Sequence, residues 1–309
     1  MDLNWLEDFL ALAEAANFSR AADKRKITQP AFSRRIRALE EWMGAPLFSR
    51  ERHKVTLTNA GAKIHPEIEV LVRSVYRMQE TTRQSAPHKP ATLHFAATHS
   101  LSLGFFPNWI KKFAQPTDGY AINLISDTMA ACEEAMLQER VQFLLCHETP
   151  ILPSRFAVKG YPSFVVGSDV LAPYTATDKR GKGLWRLDSL PSGHVPWLQY
   201  SPESAFHRMM KEHTAIQAKI SPTTPSFTAR FASVLLCVAC DGEGIAWLPA
   251  SLAEHATAVG HLTPAGGREW NIPLDICLFR SGNDISESTM LLWKAVASSS
   301  GCMRTGAKE

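Results

Sequence analysis

The stretch TQPAFSRRIRALE, residues 28 to 40, constrains the chain more than any other. Phe32, Ile36, Leu39 and Met43 recur at spacings of four, three and four, which predicts a helix with one inward apolar stripe. Gln29, Pro30, Ser33, Arg34 and Arg37 fall together on another face, crowded toward the N-terminal end. Thr28 stands where an N-cap belongs, and Pro30 lies in the first turn, where its missing N–H breaks no intrahelical bond. Gly44 ends the pattern at a position that favours left-handed backbone. An idle surface helix needs charge outside, but it does not need Gln, Ser and Arg gathered at its tip. That tip is shaped by a partner.

The flanking residues say what kind of partner. Trp5, Leu6, Phe9, Leu10 and Ala13 predict an amphipathic helix over 3–16, and Ser19 is positioned to cap a short second helix through about Lys26. After Gly44, Leu47 and Phe48 form an apolar anchor and Val55-Thr56-Leu57 a β-type run. Arg50, Arg52, His53 and Lys54 lie between them on a hairpin tip. Two helices joined by a tight turn and followed by a basic hairpin make a winged helix-turn-helix, whose second helix enters the DNA major groove by its N-terminal end. Gln29, Ser33 and Arg34 then meet base edges, while the hairpin arginines reach phosphate or the minor groove. Charge agrees: the net +3 conceals 10 Lys/Arg against 4 Asp/Glu within residues 20–54. A three-helix bundle with an incidentally basic face is the bland alternative, and it leaves the tip unexplained.

The run NFSRAADKRKITQPAFSRRIRALEEWMGAPLFSRERHKVTLTNAG resembles the DNA-binding segment of LysR-type transcriptional regulators, with SRAA, QPAFSRRIRALE, G-x-PLF-x-R and T-x-AG in matching order and spacing. The resemblance implies base readout by Gln29, Pro30, Ser33 and Arg34. It implies phosphate or minor-groove contact by Ser19, Arg20, Arg50 and Arg52. Thr28 replaces the serine more usual there and keeps the capping hydroxyl.

Thr58 is placed to cap a further helix to about Arg83. Ile64, Ile68, Leu71, Val75 and Met78 follow a four-three-four-three spacing, the pattern of a coiled-coil seam. Five positions also fit a stripe packed on its own chain. Palindromic operators favour pairing, and the resemblance implies dimerisation through this helix, as a homodimer or homotetramer. Pro66 falls in its first half, and QSAPHKPAT (84–92) reads as a hinge.

Residues 91–309 alternate strand and helix patterns, which predicts α/β architecture with helices on both faces of a parallel or mixed sheet. Punctuation by Pro and Gly near 150–162 and 264–273 suggests two crossings between subdomains. The segment ACDGEGIAWLP resembles an element of the same family's effector domain, a two-lobed fold like periplasmic binding proteins. The whole chain is thus expected to be α/β with an all-α-rich N-terminal domain. The expected boundaries are 1–58 for the winged helix-turn-helix, 59–90 for linker helix and hinge, and 91–309 for the effector domain. Lobe I takes about 91–162 and 266–309, and lobe II about 163–265.

Two-lobed α/β folds bind ligands at strand ends between the lobes. The candidates are His99, Ser100 and Ser102 after the first strand, Thr128 after the second and His147 at the end of the third. Tyr200, Ser201 and Thr228 would face them from lobe II, Thr228 at a helix start. Each hydroxyl has an equal claim to be a helix cap. Ser100, read as a cap beside an exposed helix N-terminus, suits an anionic group. The family often has an aspartate near residue 142, whereas this chain reads VQFLLCH. The run THSLSLG resembles the hypochlorite-responsive branch of LysR-type regulators. Oxidant sensing would act on Met129, Met209, Met210 or cysteine; core packing is the competing reading of each Met. Cys237-x-x-Cys240, on an apolar helix, reads as two buried small residues.

Exclusions complete the reading. At 309 residues the chain is long for one core. No apolar run approaches the roughly 20 residues of a membrane-spanning helix. Acids stand at the N-terminus where a signal peptide carries basic residues, and six cysteines fit a reducing cytoplasm. No spaced Cys/His set implies a metal, and no cofactor or nucleophile motif appears. The expectation is a cytoplasmic regulator of double-stranded DNA, tuned by a small-molecule effector and needing no cofactor. The rival is an enzyme with a DNA-targeting domain and chemistry at His99, Ser100 and His147, for which no acid is placed to orient either histidine.

Overall fold

The computed structural model describes residues 2–51, 54–84, 92–114, 119–221, 223–282, 286–299 and 303–304. The chain divides into two compact units, Met1–Pro87 and His88–Glu309.

The first unit runs α1 (Leu3–Ala15), α2 (Phe18–Lys24), α3 (Gln29–Met43), β1 (Phe48–Glu51), β2 (Lys54–Leu57) and α4 (Asn59–Gln84). Phe32, Ile36 and Leu39 of α3 are fully buried against Leu6, Phe9 and Leu12 of α1 and Ala21 and Ala22 of α2. Met43 is only half-buried at the end of that stripe. Gly44 has φ 73° and closes the helix in left-handed backbone, as its sequence position requires. β1 and β2 form an antiparallel hairpin with Phe48 opposite Leu57.

Two caps differ from expectation. The cap of α2 is Asn17, whose side chain accepts from the Arg20 amide at 3.0 Å, so Ser19 lies inside the first turn. Asparagine caps at least as well as serine, and its extended backbone sets the helix start two residues earlier. Thr28 occupies the N-cap position of α3, yet its hydroxyl makes no capping bond. By contrast Thr58 accepts from the Gly61 amide (3.0 Å) and donates to the Pro46 carbonyl (2.8 Å).

Charged groups lock the helices together. Asp8 is fully buried and accepts from Arg25 at 2.7 Å, with Arg35 at 3.4 Å; Glu7 takes the other end of Arg25. Burial pulls the Arg25 guanidinium down, but its hydrogen bond to Asp8 and the charge of Glu7 more than offset this and keep it firmly protonated. Glu40 accepts from the amides of Leu47 (2.8 Å) and Phe48 (3.1 Å), fixing the hairpin onto α3. A Cβ at Gly61 would stand 2.2 Å from the Leu47 carbonyl oxygen, so the start of α4 approaches the hairpin as only glycine allows.

The expected seam of α4 splits in two. Ile68 is buried in the unit's own core with Val72, and Ile64 and Tyr76 pack against the same cluster. Leu71 and Met78 are 42% and 60% exposed, and Val75 is half-buried. Ile64 and Ile68 therefore serve the chain itself, because at 3.6 residues per turn a straight helix rotates a 3.5-residue stripe away from its starting face. Pro66 sits inside α4 without ending it. Residues 85–91 of the expected hinge lie outside the described residues.

The second unit begins with β3 (Thr92–Thr98), α5 (His99–Gly104), α6 (Phe106–Ile110), β4 (Ala121–Asp127), α7 (Met129–Leu137), β5 (Phe143–Glu148) and α8 (Arg155–Val158). It continues through β6 (Ser163–Ala176), β7 (Trp197–Tyr200), α9 (Ala205–Lys211), α10 (Thr214–Ile220), β8 (Phe227–Ala229) and α11 (Ala232–Cys240). Then follow β9 (Ile245–Pro249), α12 (Ala250–Ala258), β10 (Leu262–Pro264), β11 (Ile272–Arg280), α13 (Glu287–Ser299) and β12 (Met303–Arg304).

One mixed sheet carries the order β4-β3-β5-β11-β6-β9-β7-β8. β3 pairs in parallel with β4 and β5, and β7 with β8 and β9, while β11 runs antiparallel to both β5 and β6. In β5, Phe143 and Leu145 enter one core and Leu144 and Cys146 the core on the opposite face. A strand covered on both sides has no polar alternation, which is why FLLC reads as a continuous apolar run. β6 feeds two cores: Phe164 belongs to the first lobe's core, Leu171 and Tyr174 to the second lobe's. The chain thus crosses between lobes inside β6, later than the punctuation at 150–162 suggests. Backbone hydrogen bonding to β11 and β9 carries it across without a loop. Gly244, in the CDGEGIAWLP run, would place a Cβ 2.3 Å from the Pro196 carbonyl oxygen, so this turn too requires glycine.

Candidate DNA-reading surface and effector cleft

In the first unit, burial of the α3 stripe forces its other face outward. Thr28, Gln29, Pro30, Arg34 and Arg37 are exposed and Ser33 is half-buried. Arg34 and Arg37 form no ion pair among the described residues, whereas Arg35 between them is tied to Asp8. Adjacent arginines therefore have opposite tasks: one holds the fold and its neighbours face solvent. Ser19 and Arg20 are exposed on α2, with the Arg20 guanidinium 2.6 Å from the Ala15 carbonyl. Arg50 lies on β1, and Arg52 is outside the described residues.

In the second unit a narrow cleft, enclosing about 50 Å³ apart from its opening to solvent, lies between the lobes. Five segments line it: Thr98, His99 and Ser100 at the end of β3, Asp127 to Met129 at the end of β4, and His147 on β5 from one side. From the other come Glu203 to Phe206 with Met209 around the start of α9, and Arg230 to Ala232 before α11. This is the strand-end location at which such folds hold ligands. Of the eight expected contacts, His99, Ser100, Thr128 and His147 come together here.

The other four do not line it. Ser102 turns away, donating to the His99 carbonyl (2.8 Å) and meeting the Ser126 hydroxyl. Tyr200 is 1% exposed and donates to the Trp247 carbonyl at 2.7 Å; burial pushes its phenol well above its ordinary range. Ser201 is not part of the lining: its amide donates to the Ala229 carbonyl and its hydroxyl oxygen is buried. Thr228 is exposed on the edge strand β8, and the next helix begins only at Ala232. Thr228 is displaced because α11 starts four residues after it, whereas Ser102 and Tyr200 miss the cleft because their hydroxyls are taken by the chain's own carbonyls. Ser100 also lies inside the first turn of α5, whose N-cap is Thr98, so it is no cap. Thr128 keeps both roles: it lines the cleft and accepts from the Ala131 amide at 3.3 Å.

His99 reaches across the lobes. Its Nδ1 is 3.0 Å from the Ser126 hydroxyl and its Nε2 3.2 Å from that of Ser233 on α11, with the Phe231 ring 4.7 Å away. His147 is held differently. Its Nε2 lies 3.0 Å from Oδ2 of Asp169, and the same carboxylate accepts from the Ser251 hydroxyl (2.5 Å), the Ser251 amide (3.1 Å) and the Val170 amide (2.7 Å). Burial pushes Asp169 up, but the His147 hydrogen bond and charge and the Ser251 bonds overcome it and hold the carboxyl below its usual range. An acid does orient a cleft histidine, contrary to expectation. Its signal was an aspartate inside the apolar run SFVVGSDVLAPYTA, which no periodicity links to residue 147. Phe206, 5.4 Å from the His147 ring, was likewise not foreseen.

The arrangement is not a nucleophile with its base. Asp169 stands between Ser251 and His147 and accepts from both, so the hydroxyl has no route to the imidazole. Met129 and Met209 line the cleft, while Met210 is buried in the second lobe's core. Cys237 is exposed and Cys240 intermediate, so the pair is not buried as expected; both are free thiols, because α11 presents its C-terminal turn to solvent. Among the described residues no group of three His, Cys, Asp or Glu could hold a metal. Among the described residues no helix is long and apolar enough to cross a membrane.

An exposed reading helix and an interlobe cleft define a DNA-binding regulator with a ligand-responsive domain. Residues 3–62 match the family model of bacterial regulatory helix-turn-helix proteins of the lysR family, and residues 88–299 match the LysR substrate binding domain. The chain belongs to the LysR family of transcriptional regulators, and it is a DNA-binding regulator with an effector-binding domain. It is 30% identical over 294 residues to the HTH-type transcriptional regulator YjiE of Escherichia coli, covering 95% of this chain and 93% of the relative. Among solved structures it resembles Vibrio fischeri DarR in complex with DNA (27% identity, TM-score 0.58, covering 96% and 98% of the two chains). It also resembles full-length HypT of Salmonella typhimurium, a hypochlorite-specific LysR-type regulator (27% identity, TM-score 0.57, covering 96% and 97%).

Proposed function

We propose that residues 1–58 read an operator, that the helix and hinge of 59–90 pair two copies, and that residues 91–309 bind a small effector between their lobes. One observation carries the reading: the stripe of α3 is consumed by the core while Gln29, Pro30, Arg34 and Arg37 stand exposed at or near its N-terminal end. Gln29, Pro30, Ser33 and Arg34 make base contacts in this reading, and Ser19, Arg20, Arg50 and Arg52 hold phosphate or the minor-groove edge. Leu71, Val75 and Met78 supply the pairing face, joined by exposed Val70 and Trp42. His99, Ser100, Thr128 and His147 contact the effector. The protein works in the cytoplasm and performs no catalysis, a reading supported by the placement of Asp169 between Ser251 and His147.

Selection of bound sequences from random DNA by the full-length chain tests this. The expected result is a palindromic site whose half-sites are separated by whole helical turns; recovery of no common sequence contradicts it. A second reading, oxidant sensing, is favoured by the hypochlorite specificity named for the Salmonella relative and by Met129 and Met209 in the cleft. Replacing both by Leu abolishes the response to hypochlorite in that case and leaves it intact otherwise.

A further inference from the structure

Cys237 and Cys240 belong neither to the DNA-reading surface nor to the lining of the cleft. They stand three residues apart at the C-terminal end of α11, which puts both sulfurs on one side of the helix. Both are free thiols, Cys237 exposed and Cys240 partly so, and Cys240 packs against the second lobe's core. The other described cysteines, Cys132, Cys146 and Cys277, are buried together in a core of the first lobe. Among the described residues the pair is thus the accessible dithiol.

Helical spacing decides what two such thiols can hold. A disulfide needs Cβ atoms roughly 3.8 Å apart, whereas residues three apart on a helix hold them about 5–6 Å apart. Direct closure would distort the last turn, where the Asp241 amide donates to the Cys237 carbonyl at 3.1 Å. A bridge longer by one atom spans the same gap with the helix intact. Zinc does not suit that bridge: structural zinc takes four ligands, and no group of three His, Cys, Asp or Glu among the described residues could hold a metal.

Charge narrows the choice further. The C-terminal end of a helix carries partial negative charge, and burial, Cys237 and Asp241 all push the Cys240 thiol up. Soft metal ions take thiolates, so here they would have to strip protons from thiols held in the neutral form. A centre that reacts with neutral thiols avoids that cost. Trivalent arsenic is such a centre: an As–S bond replaces an As–O bond, and the hydroxide leaves with the thiol proton as water. Two such exchanges give a neutral dithioarsenical and two waters, with no change of oxidation state. The third position on arsenic keeps its own substituent, because the remaining described thiols are buried in the other lobe.

We propose that Cys237 and Cys240 form a two-thiol site for a trivalent arsenical that keeps one non-sulfur substituent, a site separate from the effector cleft. Titration of the phosphine-reduced full chain with phenylarsine oxide, which hydrates to such an arsenous acid, tests it when read by mass spectrometry. Tryptic cleavage after Arg230 and Arg268 releases both thiols on one peptide that holds no other cysteine. The expected result is one phenylarsenic group per chain, carried by that peptide with both thiols blocked to alkylation. Cys237→Ser and Cys240→Ser should each weaken binding at least about a hundredfold, because the second sulfur no longer acts at the effective concentration that the helix sets. Thermal unfolding checks that both variants fold. No uptake, uptake on a different peptide, or affinity unchanged by either replacement overturns the proposal.

Discussion

The reading helix and the effector cleft are built in opposite ways. α3 gathers its inward stripe and its outward polar tip within fifteen consecutive residues, Gln29 to Met43. The cleft draws its wall from five segments between Thr98 and Ala232. In the helix, function follows from spacing alone, because at 3.6 residues per turn burial of one face dictates what the other displays. In the cleft, function depends on which turns the sheet brings together, and no local period encodes that.

This contrast explains what was legible. The apolar stripe Phe32, Ile36, Leu39, the glycine at 44 and the cap at Thr58 were readable because each obeys a local rule. The alternation of strands and helices in the second unit was readable for the same reason. Tyr200, Ser201 and Thr228 were misplaced because a hydroxyl near a strand end has the same signature whether it caps, packs or lines. The Asp169–His147 pair was invisible because its members sit 22 residues apart on strands separated in the sheet by β11. The seam of α4 was half right: its spacing was real, but Ile64 and Ile68 belong to the chain's own core. Asn17 was passed over for Ser19 although both are good caps, since sequence alone does not fix which residue is the last extended one.

If the first unit acts as a pair of rigid readers, the largest effect comes from separating them. Leu71→Asp places a charge on the exposed face of α4 and should lower operator affinity at least a hundredfold, roughly 3 kcal/mol, by removing the effective concentration of the second head. Sedimentation showing an intact oligomer would take α4 out of the interface.

Asp8→Ala should cost about 3 kcal/mol, because Arg25 and Arg35 lose the buried carboxylate that joins α1 to α2 and α3. Denaturant unfolding of a fragment spanning the first unit measures it; a loss within experimental scatter would mean that helix packing alone sets the geometry.

In the second unit the matching change is Asp169→Asn, with an expected loss of about 2 kcal/mol at neutral pH. Its pH signature sharpens the comparison. The folded-state pKa of Asp169 lies below its unfolded value, so its contribution is fully present above about pH 4 and disappears as pH falls through the folded pKa. The gap in stability between parent and variant should therefore narrow below about pH 4. A constant gap down to acid pH would show that the carboxylate is not what the fold uses.

Gly61→Ala should cost about 2–3 kcal/mol, since the added Cβ would stand 2.2 Å from the Leu47 carbonyl oxygen and only backbone movement of the junction relieves that contact. The hairpin should move with it, so DNA affinity falls alongside thermal stability; unchanged DNA binding would uncouple the hairpin from α4.

The most direct test of the contrast is the ratio of operator to random-sequence affinity for Arg34→Ala, measured across salt concentrations beside Arg35→Ala. Arg34 is exposed and unpaired among the described residues, so its loss should cost about 1–3 kcal/mol on the operator and relax preference at one base pair, leaving random-sequence binding nearly unchanged. Arg35 is bonded to Asp8, so its loss should lower stability and weaken both kinds of DNA together. Equal loss on operator and random DNA for Arg34→Ala would contradict the claim that the exposed face of this helix reads sequence.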